Sequence, residues 1–251
     1  MKTYVVNLAR AEDRRAHMEA QFRELGFDDY EFFEAVDGRS LDLDNAPLYN
    51  RAKRLALYGI DLTQGEVGCY LSHYEVIRRI YDSGVARAFV LEDDMLLHPR
   101  TFELADKLAS LPQSFEFIRL GGMRVPRHLK VDRIDDEFEL RRLLNVASEM
   151  SAYVISREGA AKILAYGEEM IRQIDATVDR YWESDLAIYA LHPYPVRAGG
   201  GFDSTIGNRI DVWKLPGKSA WRWRTRKLKQ IDGCRKRLKN LKIVFKHLLR
   251  R

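Results

Sequence analysis

The chain has 251 residues, 46% hydrophobic and 31% charged, with a net charge of +5 and a mean hydropathy of −0.38. That length can bury one sizeable core, and no apolar run approaches the roughly 20 residues that span a bilayer. Two distant cysteines, Cys69 and Cys234, predict neither a disulfide framework nor a zinc site.

Lys2 to Leu8 reads as a first strand, and the charged residues Arg10, Glu12 and Asp13 follow at once. A signal peptide would carry a longer apolar core, so the start predicts a cytoplasmic protein. Ala11 to Leu25 has apolar positions at helical spacing and a glycine stop at Gly26. Tyr30 to Val36 reads as a second strand closed by Asp37-Gly38, and Arg39 to Gly59 as an irregular lid or insertion. Thr63 and Glu66 have the spacing of a capping box, opening a helix that runs through Ser83 despite Gly65 and Gly68. A strand at Ala88, a helix at Thr101 to Leu111 and a strand at Phe115 to Leu120 follow. Ala152 to Ile155 is the next strand and Arg157 to Tyr166 the next helix. Strands alternating with helices predict an α/β fold around a largely parallel sheet covered on both faces, with ligands at the carboxyl ends of the strands.

The most informative stretch is Leu91-Glu92-Asp93-Asp94, three carboxylates directly after the apolar run Ala88-Phe89-Val90-Leu91. Continued strand alternation would put Glu92 and Asp94 on one face and Asp93 on the other. Like charges at the end of a buried strand repel unless a cation or donors compensate them, and a hard divalent ion that also binds phosphate oxygens fits. The same residues also read as a solvated charged loop.

Four blocks now carry a resemblance. They are Val5-Val6-Asn7-Leu8-Ala9-Arg10 with Asp13-Arg14-Arg15, continued by Phe33-Glu34-Ala35-Val36-Asp37-Gly38; Leu62 to His73, the most specific; Val90 to Asp94; and Ala152 to Ala160, followed by Val178-Asp179. Together they span roughly residues 1 to 210, and the chain resembles glycosyltransferase family 25, the bacterial lipooligosaccharide galactosyltransferase family. The resemblance implies a GT-A-type domain over 1–213, with residues 214–251 outside it, and an inverting transfer. The donor would be UDP-galactose and the acceptor a lipid-linked oligosaccharide, with Mn²⁺ or Mg²⁺ bound by the acidic motif. Glu92 stands where such motifs commonly begin with Asp, which leaves open whether it touches metal, ribose or neither; Asp94 is the firmer ligand.

On this reading Asn7, Arg10, Arg14, Gly65, Glu66, Glu92, Asp93 and Asp94 bind the sugar nucleotide. Arg10 forks onto the diphosphate, whereas Arg14 and Arg15 read equally as a solvated helix face. Gly65 and Gly68 let backbone approach the donor, with Glu66 on a sugar or ribose hydroxyl, or else all three simply build a capped and packed helix start. Inversion needs a carboxylate to take the acceptor's proton; Asp179 is the candidate, with Glu183 and Asp185 as rivals. His73 reads as structural, Cys69 as core, and His192 as a further metal ligand. Ser204 and Asn208 match a donor loop, and Gly199-Gly200-Gly201 a hinge.

From Lys214 onward there are 15 Lys and Arg against a single acid, Asp232. Of the chain's 42 basic and 37 acidic residues, the preceding part keeps 27 and 36, a net of −9 against +14. Leu228, Ile231, Cys234, Leu238, Leu241, Phe245 and Leu248 form one apolar stripe among these charges, preceded by Trp221 and Trp223. This predicts an interfacial helix on an anionic membrane surface, with packing on the body or on a second copy as the alternatives. A nucleic-acid-binding protein using the basic tail, or an inactive family member serving as an interaction module, are the rival functions; the first leaves the acidic body and the carboxylate cluster unexplained.

Overall fold

A computed structural model describes residues 1–199, 201, 202 and 219–249. Gly200, Ser204, Asn208 and the boundary expected at 213 lie outside the described residues, as do the side chains of Trp221 and Trp223.

Strand β1 (Thr3–Asn7) leads through helix α1 (Glu12–Glu24) to β2 (Tyr30–Glu34). Arg39 to Gly59, expected as irregular, holds a 3₁₀ turn and a two-turn helix, α2 (Arg51–Tyr58). Asn50 caps α2, and it stops at Gly59 in the left-handed conformation, φ 65°. Helix α3 (Gln64–Asp82) opens with the expected capping box, both reciprocal bonds being present. Then come β3 (Arg87–Glu92), β4 (Met95–Leu97), α4 (Thr101–Ala109), β5 (Phe117–Arg119), β6 (His128–Arg133), β7 (Glu139–Leu143) and β8 (Ala152–Ser156). Helices α5 (Arg157–Gly167), α6 (Ile174–Val178) and α7 (Tyr181–Ser184), strands β9 (Ile188–His192) and β10 (Val196–Ala198), and helix α8 (Ser219–Leu248) complete the chain.

Eight strands form one sheet in the order β2-β1-β3-β8-β5-β9-β7-β6. The sheet is mixed: β1–β2, β1–β3 and β5–β9 pair in parallel, while the four contacts made by β8 and β7 are antiparallel. The α/β class matches expectation, and six of the eight strands do share one direction. Strand alternation sorts the core into two layers. Tyr4, Val6, Ala88, Val90, Tyr153 and Ile155 face α3 and α5, whereas Val5, Phe89, Leu91 and Val154 face α1 and α4.

Helix α8 docks through its polar face. Arg180 donates to Asp232 at 2.8 Å, Tyr181 to Asn240 at 2.8 Å, and Arg235 to Glu183 at 3.1 Å; Lys239 pairs with Asp185. Ile243 packs on the body, while Leu238, Leu241, Phe245 and Leu248 are each more than 60% exposed. The apolar stripe therefore faces away from the body, contrary to the body-packing alternative.

Candidate functional site

The carboxyl ends of β1, β2 and β3 lie side by side, Val6 in register with Glu92 and Asn7 with Glu34. A cavity of about 380 Å³ opens there, as the strand-end rule anticipates. Its far wall is the start of α3, brought close because both contacting backbones lack side chains. A Cβ on Gly38 would lie 2.2 Å from the Gln64 carbonyl oxygen, and one on Gly68 2.8 Å from the Gly38 nitrogen. Gly68 thus serves helix packing, while Gly65 lines the cavity. Glu66 is only 5% exposed. One of its oxygens accepts the Thr63 amide (3.0 Å) and the other the Gln173 side chain (2.9 Å), so the capping reading holds and its oxygens are already engaged.

The acidic motif departs from strand alternation because β3 ends at Glu92 and Asp93-Asp94 form the turn into β4. Strand β4 pairs with β10 in a separate ribbon, and the Gly199 amide donates to the Asp94 carbonyl at 3.2 Å. Asp93 is buried, accepting from Asn7 Nδ2 at 2.7 Å and Arg14 Nη1 at 2.8 Å. Arg14 reaches Asp94 Oδ2 at 3.3 Å, so Asp93 and Asp94 share a cation rather than facing apart. Asn7 and Arg14, both buried, brace the motif, and Arg14 also lines the cavity. Asp94 Oδ1 is buried without a hydrogen-bond partner. Burial, then the charge of Glu92, push the Asp94 carboxyl up to about 6, against the pull of Arg14.

Glu92 turns the other way, accepting from His73 Nε2 at 3.2 Å while His73 Nδ1 meets the Tyr153 hydroxyl at 3.1 Å. His73 is therefore buried, as a structural histidine would be, yet it is also part of the cavity wall. Cys69, expected in the core, stands beside them; its sulfur, a His73 nitrogen and a Glu92 oxygen lie within 4.8 Å of one another. That mixed set suits a borderline ion such as zinc, whereas the Asp94 oxygen suits a hard one. Cys69 and Glu92 also line a second cavity of about 130 Å³, with Glu149, Gln173 and Asp175. Burial, then Glu92, raise the Glu149 carboxyl above its ordinary range.

The remaining expected residues are dispersed. Arg10 lines the large cavity and donates to Asp37 at 2.8 Å, a carboxylate it shares with Arg39. Arg15 stacks on Phe32 at 4.2 Å and pairs with Glu19, on the outer face of α1. Asp179 is 3% exposed and lines neither cavity. Its Oδ1 accepts from Arg119 at 2.8 Å and its Oδ2 from the Ala147 and Ser148 amides at 2.8 and 2.7 Å. A carboxylate so enclosed has neither room nor charge to spare for an acceptor hydroxyl. Glu183 is held by Arg180 at 2.7 Å and Asp185 by Lys239, both beside α8. His192 sits on a separate groove with Glu139 and Arg141, away from the acidic turn. Sequence reading missed Glu149, which lies in a segment without hydrophobic periodicity or a recognisable motif, and Arg119, a charge inside the expected strand Phe115 to Leu120 that no motif marks; the pairing of Cys69 with Glu92 was signalled only by the neighbouring blocks that contain them.

Among the described residues no helix is long and apolar enough to cross a membrane. The family model for glycosyltransferase family 25 (LPS biosynthesis protein) matches residues 1–182. Procollagen galactosyltransferase 1-A of Xenopus laevis is 31% identical over 205 residues, 76% of this chain and 31% of that protein. Procollagen galactosyltransferase 2 of Homo sapiens is 29% identical over 177 residues, 64% of this chain and 27% of that protein. The probable inactive glycosyltransferase 25 family member 3 of Rattus norvegicus is 32% identical over 181 residues, 65% and 30% respectively. The chain thus spans about a third of the length of these relatives. With the family's match running from β1 through the acidic turn to α7, the chain belongs to glycosyltransferase family 25.

Proposed function

We propose that this chain is a metal-dependent, GT-A-type glycosyltransferase that moves galactose, with inversion, from UDP-galactose to a hydroxyl of a lipid-linked oligosaccharide. The observation that carries the reading is Asp94 Oδ1, an unpartnered buried oxygen on a cavity large enough for part of a sugar nucleotide. An orphaned carboxylate oxygen with a raised proton affinity fits Mn²⁺ or Mg²⁺. Asp94 would hold that ion, with Glu92 near it. Such an ion would supply Lewis-acid neutralisation of the charge on a departing diphosphate.

The chain's own groups do the rest. Asn7 and Arg14 fix Asp93, which orients the turn carrying Asp94. Arg10 and Arg39 share one carboxylate, Asp37, so a positive charge remains at the cavity mouth for a phosphate. Gly65 keeps the opposite wall free of a side chain. The exposed stripe Leu238-Leu241-Phe245-Leu248, set among lysines and arginines, supports a location on the inner, anionic membrane surface, where a lipid-linked acceptor would be met.

A donor screen tests the reading. Purified chain with Mn²⁺ is incubated with UDP-galactose, UDP-glucose or a UDP-N-acetylhexosamine and a panel of oligosaccharides, with products read by mass spectrometry. A hexose-extended product from UDP-galactose that chelation abolishes is expected. Turnover that persists after chelation sinks the metal role. Absence of both UDP binding and transfer favours the inactive-member reading, for which one relative's name gives a precedent.

A further inference from the structure

Ser148 and Glu149 are consecutive non-glycine residues with left-handed backbone, φ 56° and 64°. L-residues adopt that region reluctantly, and two in a row persist only where the surroundings over-determine them. Here the surroundings are a single buried ion pair. Asp179 takes the Ala147 and Ser148 amides at 2.8 and 2.7 Å; Arg119 donates to the Ser148 carbonyl at 2.9 Å and also to the Glu149 carbonyl. Arg119 and Asp179 join at 2.8 Å and are 1% and 3% exposed. A buried ion pair is a poor source of net stability, but it can enforce one backbone geometry. The geometry enforced is that of the turn that sets Glu149 on the wall of the smaller cavity, which shares Cys69 and Glu92 with the 380 Å³ cavity.

Every acid on that side has a partner: Glu66 caps α3 and holds Gln173, Glu92 holds His73, Asp175 Oδ1 accepts the Ala176 amide at 2.7 Å, and Glu149 takes the Met123 amide. Glu149 is set apart by its place on the turn that the Arg119–Asp179 pair clamps. We propose that Glu149 is the general base of the transfer, and that Asp179 and Arg119 are positioning residues that hold it at the cavity. The inference rests on the transferase reading above. In the step, the acceptor hydroxyl gives its proton to a Glu149 oxygen while a lone pair on the acceptor oxygen forms the bond to the anomeric carbon. The bond from that carbon to the diphosphate oxygen breaks, its electron pair leaving on the nucleoside diphosphate, and the proton on Glu149 passes to water after product release.

The test uses the full chain with Mn²⁺, UDP-galactose and an oligosaccharide acceptor. Glu149→Gln is expected to lower kcat about 100-fold or more while leaving the donor KM and the UDP-induced rise in Tm unchanged. Glu149→Ala should regain rate in added formate, a small carboxylate that replaces the missing base. Asp179→Asn should lose about 10-fold or more in kcat with donor affinity kept and no response to formate, as displacement of a base that is still present requires. Should Glu149→Gln not fold, Glu149→Asp is read in its place, its retracted carboxylate again lowering kcat at constant donor KM. Wild-type kcat in Glu149→Gln, or loss of UDP binding together with activity, overturns the assignment. If wild type transfers and Glu149→Gln matches it, the base assignment alone falls. If wild type neither binds UDP nor transfers, the transferase reading falls with it.

Discussion

At the residue scale, Asp94 carries an electrostatic cost. Its carboxyl ionises at about 6 in the fold against 3.8 when exposed, because burial and the charge of Glu92 disfavour the anion more than Arg14 restores it. Below both values the group is protonated in either state and costs nothing. As pH rises from about 4 to 6 the folded protein resists losing that proton, so stability falls and stays lower above 6. Asp94→Asn removes the cost. Without metal the variant should be more stable than wild type at pH 7.5, by on the order of 2 kcal/mol, with the advantage gone near pH 4; urea melts at the two pH values check this. The same residues mark how far the sequence reaches. Three carboxylates after an apolar run announced a site, but their partners did not announce themselves: Arg14 lies 79 residues before Asp93, and Arg119 60 residues before Asp179. Asp179 had the residue type of a base and the surroundings of a clamp, and surroundings of that kind are set by tertiary packing alone.

At the element scale, the site depends on how closely α3 approaches the end of β2. Gly68→Ala would bring a methyl group to 2.8 Å from the Gly38 nitrogen and the Val36 carbonyl oxygen, both backbone atoms that cannot rotate away. The expected loss is about 1–3 kcal/mol, read from the urea midpoint, with weaker UDP binding because Asp37-Gly38 line the cavity. Elements whose signals are local were legible: the Thr63–Glu66 box, the stop at Gly26 and the apolar strand β3 all appear where the sequence put them. The hairpin of β6 and β7 was not, because Lys130, Asp132, Arg133, Arg141 and Arg142 hide its alternation. On β6, at the margin of the sheet, charge discourages further pairing; on β7, paired on both sides, Arg141 and Arg142 interrupt the alternation just the same. Strand reversal at β8 was equally invisible, since pairing direction leaves no trace in an apolar segment such as Ala152–Ser156.

At the scale of the whole molecule, the charge split was plain in the sequence, whereas the manner of docking was not. Asp232, the sole acid from Lys214 onward, is where α8 meets Arg180, and Glu183 and Asp185 serve the same junction. The apolar stripe is left outward. Replacing Leu241 and Phe245 together by Asp should abolish co-sedimentation with anionic vesicles, while transfer to a soluble acceptor stays within about twofold of wild type. Wild-type binding should also weaken as salt rises, since exposed charges are screened. Unchanged vesicle binding by the double variant defeats the membrane reading. A variant that instead passes from dimer to monomer assigns the stripe to a second copy, and retention of wild type on duplex DNA at matched salt favours the nucleic-acid alternative.

The central claim is that the acidic turn exists to hold a divalent ion against a diphosphate. Its most direct measurement is the melting temperature of metal-free protein at pH 7.5, titrated with Mn²⁺ in the presence of UDP, for wild type and Asp94→Asn. Saturation about 100-fold above the dissociation constant adds about 2.7 kcal/mol, and for a chain of this size that raises Tm by roughly 5–10 °C. Wild type is expected to show that rise and Asp94→Asn to show none, despite its higher starting stability. Equal rises in both proteins, or no response from wild type, would contradict the account.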